Sequence, residues 1–108
     1  MNNVEKAKAL NLVELAVYTD GGITSKTLSA NGGGSITFFS FDKDQALSEH
    51  SAPFDAFLQV LEGSAEIKIN GVANIVKAGE FIIMPGNIPH AVRAVEKFKM
   101  LLVMLKNN

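Results

Sequence analysis

The chain has two histidines, His50 and His90, and their imidazoles can take part in more kinds of chemistry than its other side chains. A neutral imidazole ligates transition metals, and it also donates or accepts protons near neutral pH. The chain contains no cysteine, which excludes disulfides, thiolate nucleophiles and zinc–thiolate sites. A catalytic zinc ion usually keeps three protein ligands, so two imidazoles alone make a poor metal site. A further ligand has to come from an oxygen donor, and Asp55 and Glu49 are the nearest candidates along the chain.

The composition limits the partners that we expect. The chain has 10 Lys and Arg against 11 Asp and Glu, so no basic excess is available to neutralise phosphates, and we expect no nucleic-acid partner. Residues 1–6 are polar, and no apolar run is long enough to cross a bilayer. We therefore expect no membrane partner and a cytoplasmic location.

Short runs rich in β-branched and aromatic residues alternate with turn signals from residue 20 onward. Short strands at this spacing predict an all-β sandwich or barrel. At 108 residues the chain has room for one domain, which we divide into an N-terminal arm (1–20) and a barrel (21–108). The predicted strands are 23–28, 35–41, 57–61, 65–69, 72–76, 81–84 and 98–105.

Local patterns predict one hairpin but do not decide between a helix and a strand in the N-terminal arm. Residues 65–69 alternate apolar and charged positions and end at Asn70-Gly71, which suits a two-residue turn with positive φ at both positions. In the arm, Asn11 followed by Glu14 fits the start of a short helix. The alternation of residues 13–18 fits a strand equally well.

Two predicted strands, 36–41 and 98–105, are apolar on both faces, apart from Lys99 and small polar residues. A barrel strand with one solvated face would alternate instead. The arm or the loops can cover the outer face, but we favour a homodimer, because the chain is small and only 19% charged.

Between Lys43 and Met104, the residues His50, Gly63, Gly79, Pro85 and His90 have the spacing of two known sequence motifs. On these residues the chain resembles the small single-domain cupins. The first cupin motif has His, any residue, His, three or four residues, Glu, six residues, Gly. Gly63 sets the register here, and His50 then takes the first His position. Ala52 stands at the second His position and Ala56 at the Glu position.

The second cupin motif has Gly, five residues, Pro, any residue, Gly, two residues, His, three residues, Asn. Gly79, Pro85 and His90 match it, whereas Asn87 and Ala94 replace the Gly and the Asn. The turn residues Gly63, Gly79 and Pro85 are thus kept, and half of the family's metal ligands are absent.

The resemblance implies a jelly-roll barrel, a double-stranded β-helix of short antiparallel strands, with the site inside it. Strand alternation then predicts which side chains face the interior together. Met84, Met100 and Met104 can add a soft wall, although filling the core is the commoner use of methionine. The predicted pocket residues are His50, Ala52, Ala56, Leu58, Val60, His90 and Val92.

Cupin sites of the family type hold a divalent Zn, Ni, Mn or Fe ion. Glu49 should point away from the adjacent His50, so we take His50, His90 and Asp55 as the candidate metal ligands. Asp55 reaches inward only if the corner at Pro53 shifts the strand register. We expect a protein that binds a small molecule in a mostly apolar pocket. The alternatives are a metal-dependent enzyme and a non-catalytic sensor or partner-binding domain.

Overall fold

The structure is a computed structural model that describes residues 4–106. Every run predicted as a strand is a strand in it, and β3 and β8, which the strand prediction omits, carry the two histidines. In these residues the strands are β1 (Ile23–Asn31), β2 (Gly34–Phe41), β3 (Ala46–His50), β4 (Ala56–Glu62), β5 (Ser64–Ile69), β6 (Val72–Lys77), β7 (Phe81–Met84), β8 (His90–Ala94) and β9 (Phe98–Leu105).

The strands form two antiparallel sheets. The five-stranded sheet has the order β1-β2-β9-β4-β7, and the four-stranded sheet has the order β3-β8-β5-β6. From β3 to β9 the chain passes repeatedly from one sheet to the other, which is the winding of a jelly roll. The predicted fold, an all-β jelly-roll barrel of short antiparallel strands, is confirmed.

The core lies between the sheets, because each strand turns alternate side chains inward. Phe41 of β2 stacks on Phe98 of β9 with ring centroids 4.5 Å apart. Leu58, Ile67 and Met100 are fully buried around them. These apolar side chains hold the sheets at a fixed separation and so position the residues at one end of the barrel.

The predicted hairpin between β5 and β6 is confirmed. Asn70 and Gly71 both have positive φ, +50° and +82°, as a two-residue turn of this kind requires. Ala65 and Ile67 are fully buried, whereas Lys68 between them and the turn is exposed.

The N-terminal arm contains a short 3-10 helix, Leu12–Glu14, and no strand among its described residues. The Asn11 side chain makes no capping hydrogen bond within the described chain, so the predicted capping box does not form. The arm is held to the outer face of the larger sheet: Ser40 Oγ donates to the Ala16 carbonyl, and Lys99 Nζ donates to the Val13 carbonyl. Residues 1–3 of the predicted arm lie outside the described residues. Within 4–106 no helix has the length and apolarity to cross a membrane.

The arm covers one end of that outer face and leaves the other end open. At the covered end, Phe38 and Ser40 are fully buried. At the open end, Phe81, Ile83 and Ile36 are 58%, 46% and 37% exposed. We call this open end the outer patch, and it consists of Ile36, Phe57, Phe81, Ile83 and Val103, which lie on the directly paired strands β2, β9, β4 and β7.

Candidate functional site

The two histidines meet across the β3–β8 ladder. His50, the last residue of β3, lies directly opposite His90, the first residue of β8. Their imidazole rings are 4.5 Å apart between centroids, at an edge-to-face angle of 70°. The pairing joins residues 40 positions apart in the chain at a single point in the fold.

A β-bulge in β3 brings His50 to this position. Leu47 pairs with Val92 and His50 pairs with His90, so β3 has one more residue than β8 between the two pairs. Regular alternation from Leu47 would turn Glu49, and not His50, toward the interior. Because of the bulge, Leu47 and His50 line the same cavity although they are three residues apart.

The loop before β8 is tied to the first motif by its backbone. Asn87 takes a positive φ of +64° at the position where cupins have a glycine, and asparagine tolerates that conformation better than most residues. Its N–H donates to the Ala52 carbonyl at 2.6 Å. This hydrogen bond joins the loop before β8, which begins at His90, to the segment after β3, which ends at His50.

The two imidazoles lie at a partly open cavity of about 60 Å³ between the sheets. All the predicted pocket residues except Val60 line it, and Val60 is fully buried in the core instead. Leu47, Phe54 and Leu102 also line the cavity and were missed by the sequence reasoning. Leu102 could have been identified from sequence, because it lies between Met100 and Met104 in the alternation of one strand. Leu47 could not, because the bulge breaks the alternation between Leu47 and His50.

Burial lowers the pKa of His90 below its ordinary value. The side chain is 6% exposed, and desolvation disfavours the charged imidazolium, with the nearby His50 as the second cause. A hydrogen-bonding contribution from the Ile88 backbone opposes these effects. His90 is therefore neutral at pH 7. Its Nδ1 atom is buried, and no hydrogen bond of ordinary geometry reaches it among residues 4–106.

His50 is oriented by its own strand. Its Nδ1 lies 3.0 Å from the carbonyl oxygen of Ser48. A carbonyl oxygen only accepts, so Nδ1–H is the donor, and Nε2 of the neutral ring carries a free lone pair. The ring is solvent-exposed, unlike that of His90, so the pair has one outer and one inner member.

Asp55 does not join the two imidazoles. Its carboxylate oxygen Oδ1 accepts a hydrogen bond from the backbone N–H of Gly86 at 2.9 Å. The residue is exposed and lines a separate cleft with Pro53 and Asn87. The register change at the Pro53 corner that would turn Asp55 inward does not occur, since β4 begins after it with the buried Ala56.

The residues at the cavity do not fit the divalent metal site of the cupin pattern. That pattern needs three imidazoles and a carboxylate, and here the two further positions carry the methyl groups of Ala52 and Ala56. Among residues 4–106, no group of three or more His, Cys, Asp or Glu side chains is placed to hold a metal ion. This donor set does not support chemistry at a divalent metal ion.

Solved structures include close relatives of the whole chain. The conserved SPY1581 protein of unknown function from Streptococcus pyogenes is 43% identical, with a TM-score of 0.94 and coverage of 99% of this chain and 94% of that one. An RmlC-like cupin protein from Desulfovibrio desulfuricans is 28% identical, with a TM-score of 0.79 and coverage of 91% and 95%.

A third relative is longer. The cupin 2 conserved barrel domain protein from Leptotrichia buccalis is 44% identical, with a TM-score of 0.87. The alignment covers 90% of this chain but 47% of that one, so this chain spans about half of its length. Among curated proteins, no sequence matches.

A family profile connects these similarities to the motifs. The profile of Cupin_2, described as a cupin domain, matches residues 37–105, which include both histidines and all strands from β3 to β9. The match covers well over half of the chain, and the jelly-roll topology agrees with it. This chain therefore belongs to the Cupin_2 family of cupin domains.

Proposed function

We propose that this protein binds a small, mostly apolar molecule in the cavity at His50 and His90. The observation that carries the proposal is the placement of two imidazoles at one point of a cavity whose other lining residues are apolar. Binding sites are commonly apolar concavities with a few polar groups that orient the ligand.

The protonation of the site favours a neutral ligand. Because His90 is neutral at pH 7, it offers a hydrogen bond and not a positive charge. We expect the ligand to have a hydroxyl, amide or carbonyl group that faces the imidazoles, and an apolar part that contacts Ala52, Leu58 and Val92.

The volume favours a very small ligand. A cavity of about 60 Å³ is far below the roughly 300–1,000 Å³ typical of pockets for drug-sized molecules. It suffices for a molecule of a few non-hydrogen atoms or a few waters. Acetone, acetamide and 2-propanol are therefore suitable probes.

The test follows the imidazole signals by NMR in chelator-treated, metal-free protein. Each probe is titrated to millimolar concentration, and the Cε1–Hε1 signals of both histidines should shift together and saturate. Ala52→Leu should remove the response, since the larger side chain enters the cavity, while a surface change such as Val72→Ala should leave it intact. The absence of a saturable shift in either ring with every probe would contradict the proposal.

We further propose that the outer patch is the contact surface of a homodimer. Its residues are apolar, three of them are more than a third exposed, and Phe57 packs on Phe81 with ring centroids 5.1 Å apart. A two-fold dimer places the same surface on both sides of the contact, so an uncharged patch meets a second copy without like-charge repulsion. The Leptotrichia relative, whose chain is about twice as long, has room for a second domain of this size, which is consistent with a paired arrangement.

A further inference from the structure

The wall opposite the histidines contains methionine at two matched positions. Ala56, which stands at the carboxylate position of the cupin motif, pairs with Met84 of β7 on one side and with Met104 of β9 on the other. Both methionines line the same cavity as His50 and His90.

Strand pairing fixes the positions of the Cβ atoms of Met84 and Met104 relative to Ala56. Directly opposite residues of an antiparallel pair point to the same face, with Cβ atoms about 4.5–5.5 Å apart. Met84 and Met104 therefore flank, from both sides, the place that a glutamate at position 56 would occupy. Methionine is unbranched and flexible, so its sulfur can adapt to an occupant of the cavity.

Both imidazoles have a ring nitrogen that is available to coordinate a metal ion. His50 donates Nδ1–H to the Ser48 carbonyl, which leaves the Nε2 lone pair free. Metal-binding histidines almost always hold their second ring nitrogen in this way. His90 is more than nine-tenths buried and lines the cavity, and no hydrogen bond of ordinary geometry reaches its buried Nδ1 among the described residues.

The donor set selects a soft ion. Oxygen ligands suit hard cations, whereas thioethers select Cu(I) and imidazole also suits copper. No carboxylate lines the cavity, so a monovalent ion brings less uncompensated charge into this apolar space than a divalent one. We propose that the cavity binds one Cu(I) ion through His50, His90, Met84 and Met104. This inference goes beyond the proposed function, since it concerns a metal ion at the same cavity.

The experiment is an anaerobic titration of the full chain with Cu(I) in competition with bicinchoninate, a coloured Cu(I) chelator. The parent should withdraw one Cu(I) per chain from the chelator. Because Cu(I) is diamagnetic, NMR should show the methyl signals of Met84 and Met104 and the ring signals of both histidines shifting in the same titration. A parent that withdraws no Cu(I), or a titration in which those methyl signals stay in place, would overturn the proposal.

Methionine variants provide the matched control. The double variant Met84→Leu/Met104→Leu conserves volume and should bind Cu(I) roughly tenfold or more weakly. Val72→Ala should bind like the parent, because Val72 is exposed on β6 and does not line the cavity. Equal Cu(I) affinity in the double variant and the parent overturns the proposal. If the double variant does not fold, the single changes Met84→Leu and Met104→Leu are compared with Val72→Ala by the same criterion.

The two proposals fail separately. Binding of acetone, acetamide or 2-propanol is measured with chelator present, so it does not depend on copper. Loss of Cu(I) binding with retained probe binding contradicts only the metal proposal, and the reverse result contradicts only the small-molecule proposal.

Discussion

His50 and His90 occupy one paired position of the β3–β8 ladder, and a single extra residue in β3 creates this relationship. The bulge turns His50 toward the cavity and leaves Glu49 outside. Without the bulge, the Glu49 carboxylate would face His90 in place of the His50 imidazole. The observed arrangement instead places two imidazoles at an apolar cavity, and the chemistry available to this chain depends on that difference.

The first prediction concerns pH. The pKa of His90 is lowered in the folded protein, while in the unfolded chain the residue titrates near 6.5. As the pH falls through about 6.5, the unfolded chain takes up the proton before the folded one, so this residue makes stability decrease toward acid. The decrease should level off once the pH passes below the folded-state pKa. Melting temperatures at pH 7.5, 6.5 and 5.5 measure the effect.

His90→Gln is the variant for this prediction, and only the difference from the parent is interpreted, because other groups also titrate. The variant should lose less stability between pH 7.5 and 5.5 than the parent. His50→Gln should give an intermediate slope, since it removes the second cause of the shift and leaves burial, the largest one. Parallel curves for parent and His90→Gln would refute the prediction.

The second prediction concerns the two alanines at the cavity. Ala52 and Ala56 both line it with the histidines, so Ala52→His with Ala56→Glu should assemble three imidazoles and one carboxylate. The double variant should bind Ni²⁺, Zn²⁺ or Mn²⁺ more tightly than the parent, and the metal should raise its melting temperature by mass action. Ala52→His alone is the control. A folded double variant without added affinity would show that the two positions do not converge on the histidine pair.

The third prediction concerns the glycine that sets the register of the first motif. Gly63 has φ +76°, and a Cβ atom there would overlap the backbone carbonyl of Lys97. Gly79 also has a positive φ, +90°, but a Cβ atom there would meet nothing within 4 Å. Gly79→Ala should therefore cost about 1–2 kcal/mol of backbone strain, and Gly63→Ala at least about 3 kcal/mol. Urea unfolding compares them, and equal costs would rule out the backbone clash.

The fourth prediction concerns assembly. Light scattering at micromolar concentration should give about twice the chain mass of 11.6 kDa. Phe81→Lys places a charge in the outer patch and should give the monomer, because two like charges would be buried together. Val72→Lys is the control, since Val72 is 65% exposed but lies on the other sheet. A monomeric parent, or a Phe81→Lys protein that remains dimeric, would exclude this surface as the interface.

Sequence reasoning succeeded where the signal is local. Asn70-Gly71 encodes its turn in two residues, and short β-branched runs between turns encode strands, so the hairpin and the fold class follow from neighbouring positions. The register set by Gly63 assigns Ala52 and Ala56 to the first motif beside His50, and both line the cavity with it.

The remainder depends on long-range structure. The bulge before His50 appears only in the pairing of β3 with β8, so Leu47 could not be placed by alternation. Asp55 was proposed as a ligand because it is near His50 in sequence, but Gly86, 31 positions away, is the residue that holds its carboxylate. The arm has no regular period because it follows the surface of a sheet formed by distant strands.

The attachment of the arm to the larger sheet also affects how far the chain can be shortened. The recognisable family segment begins at residue 37, inside β2, and so omits β1 and the arm. A protein cut at that boundary would lose the carbonyl groups that accept from Ser40 and Lys99 and would expose Phe38 to water. The unit that folds is therefore larger than the segment by which the family is recognised, and deletions or domain fusions should preserve the chain from the 3-10 helix onward.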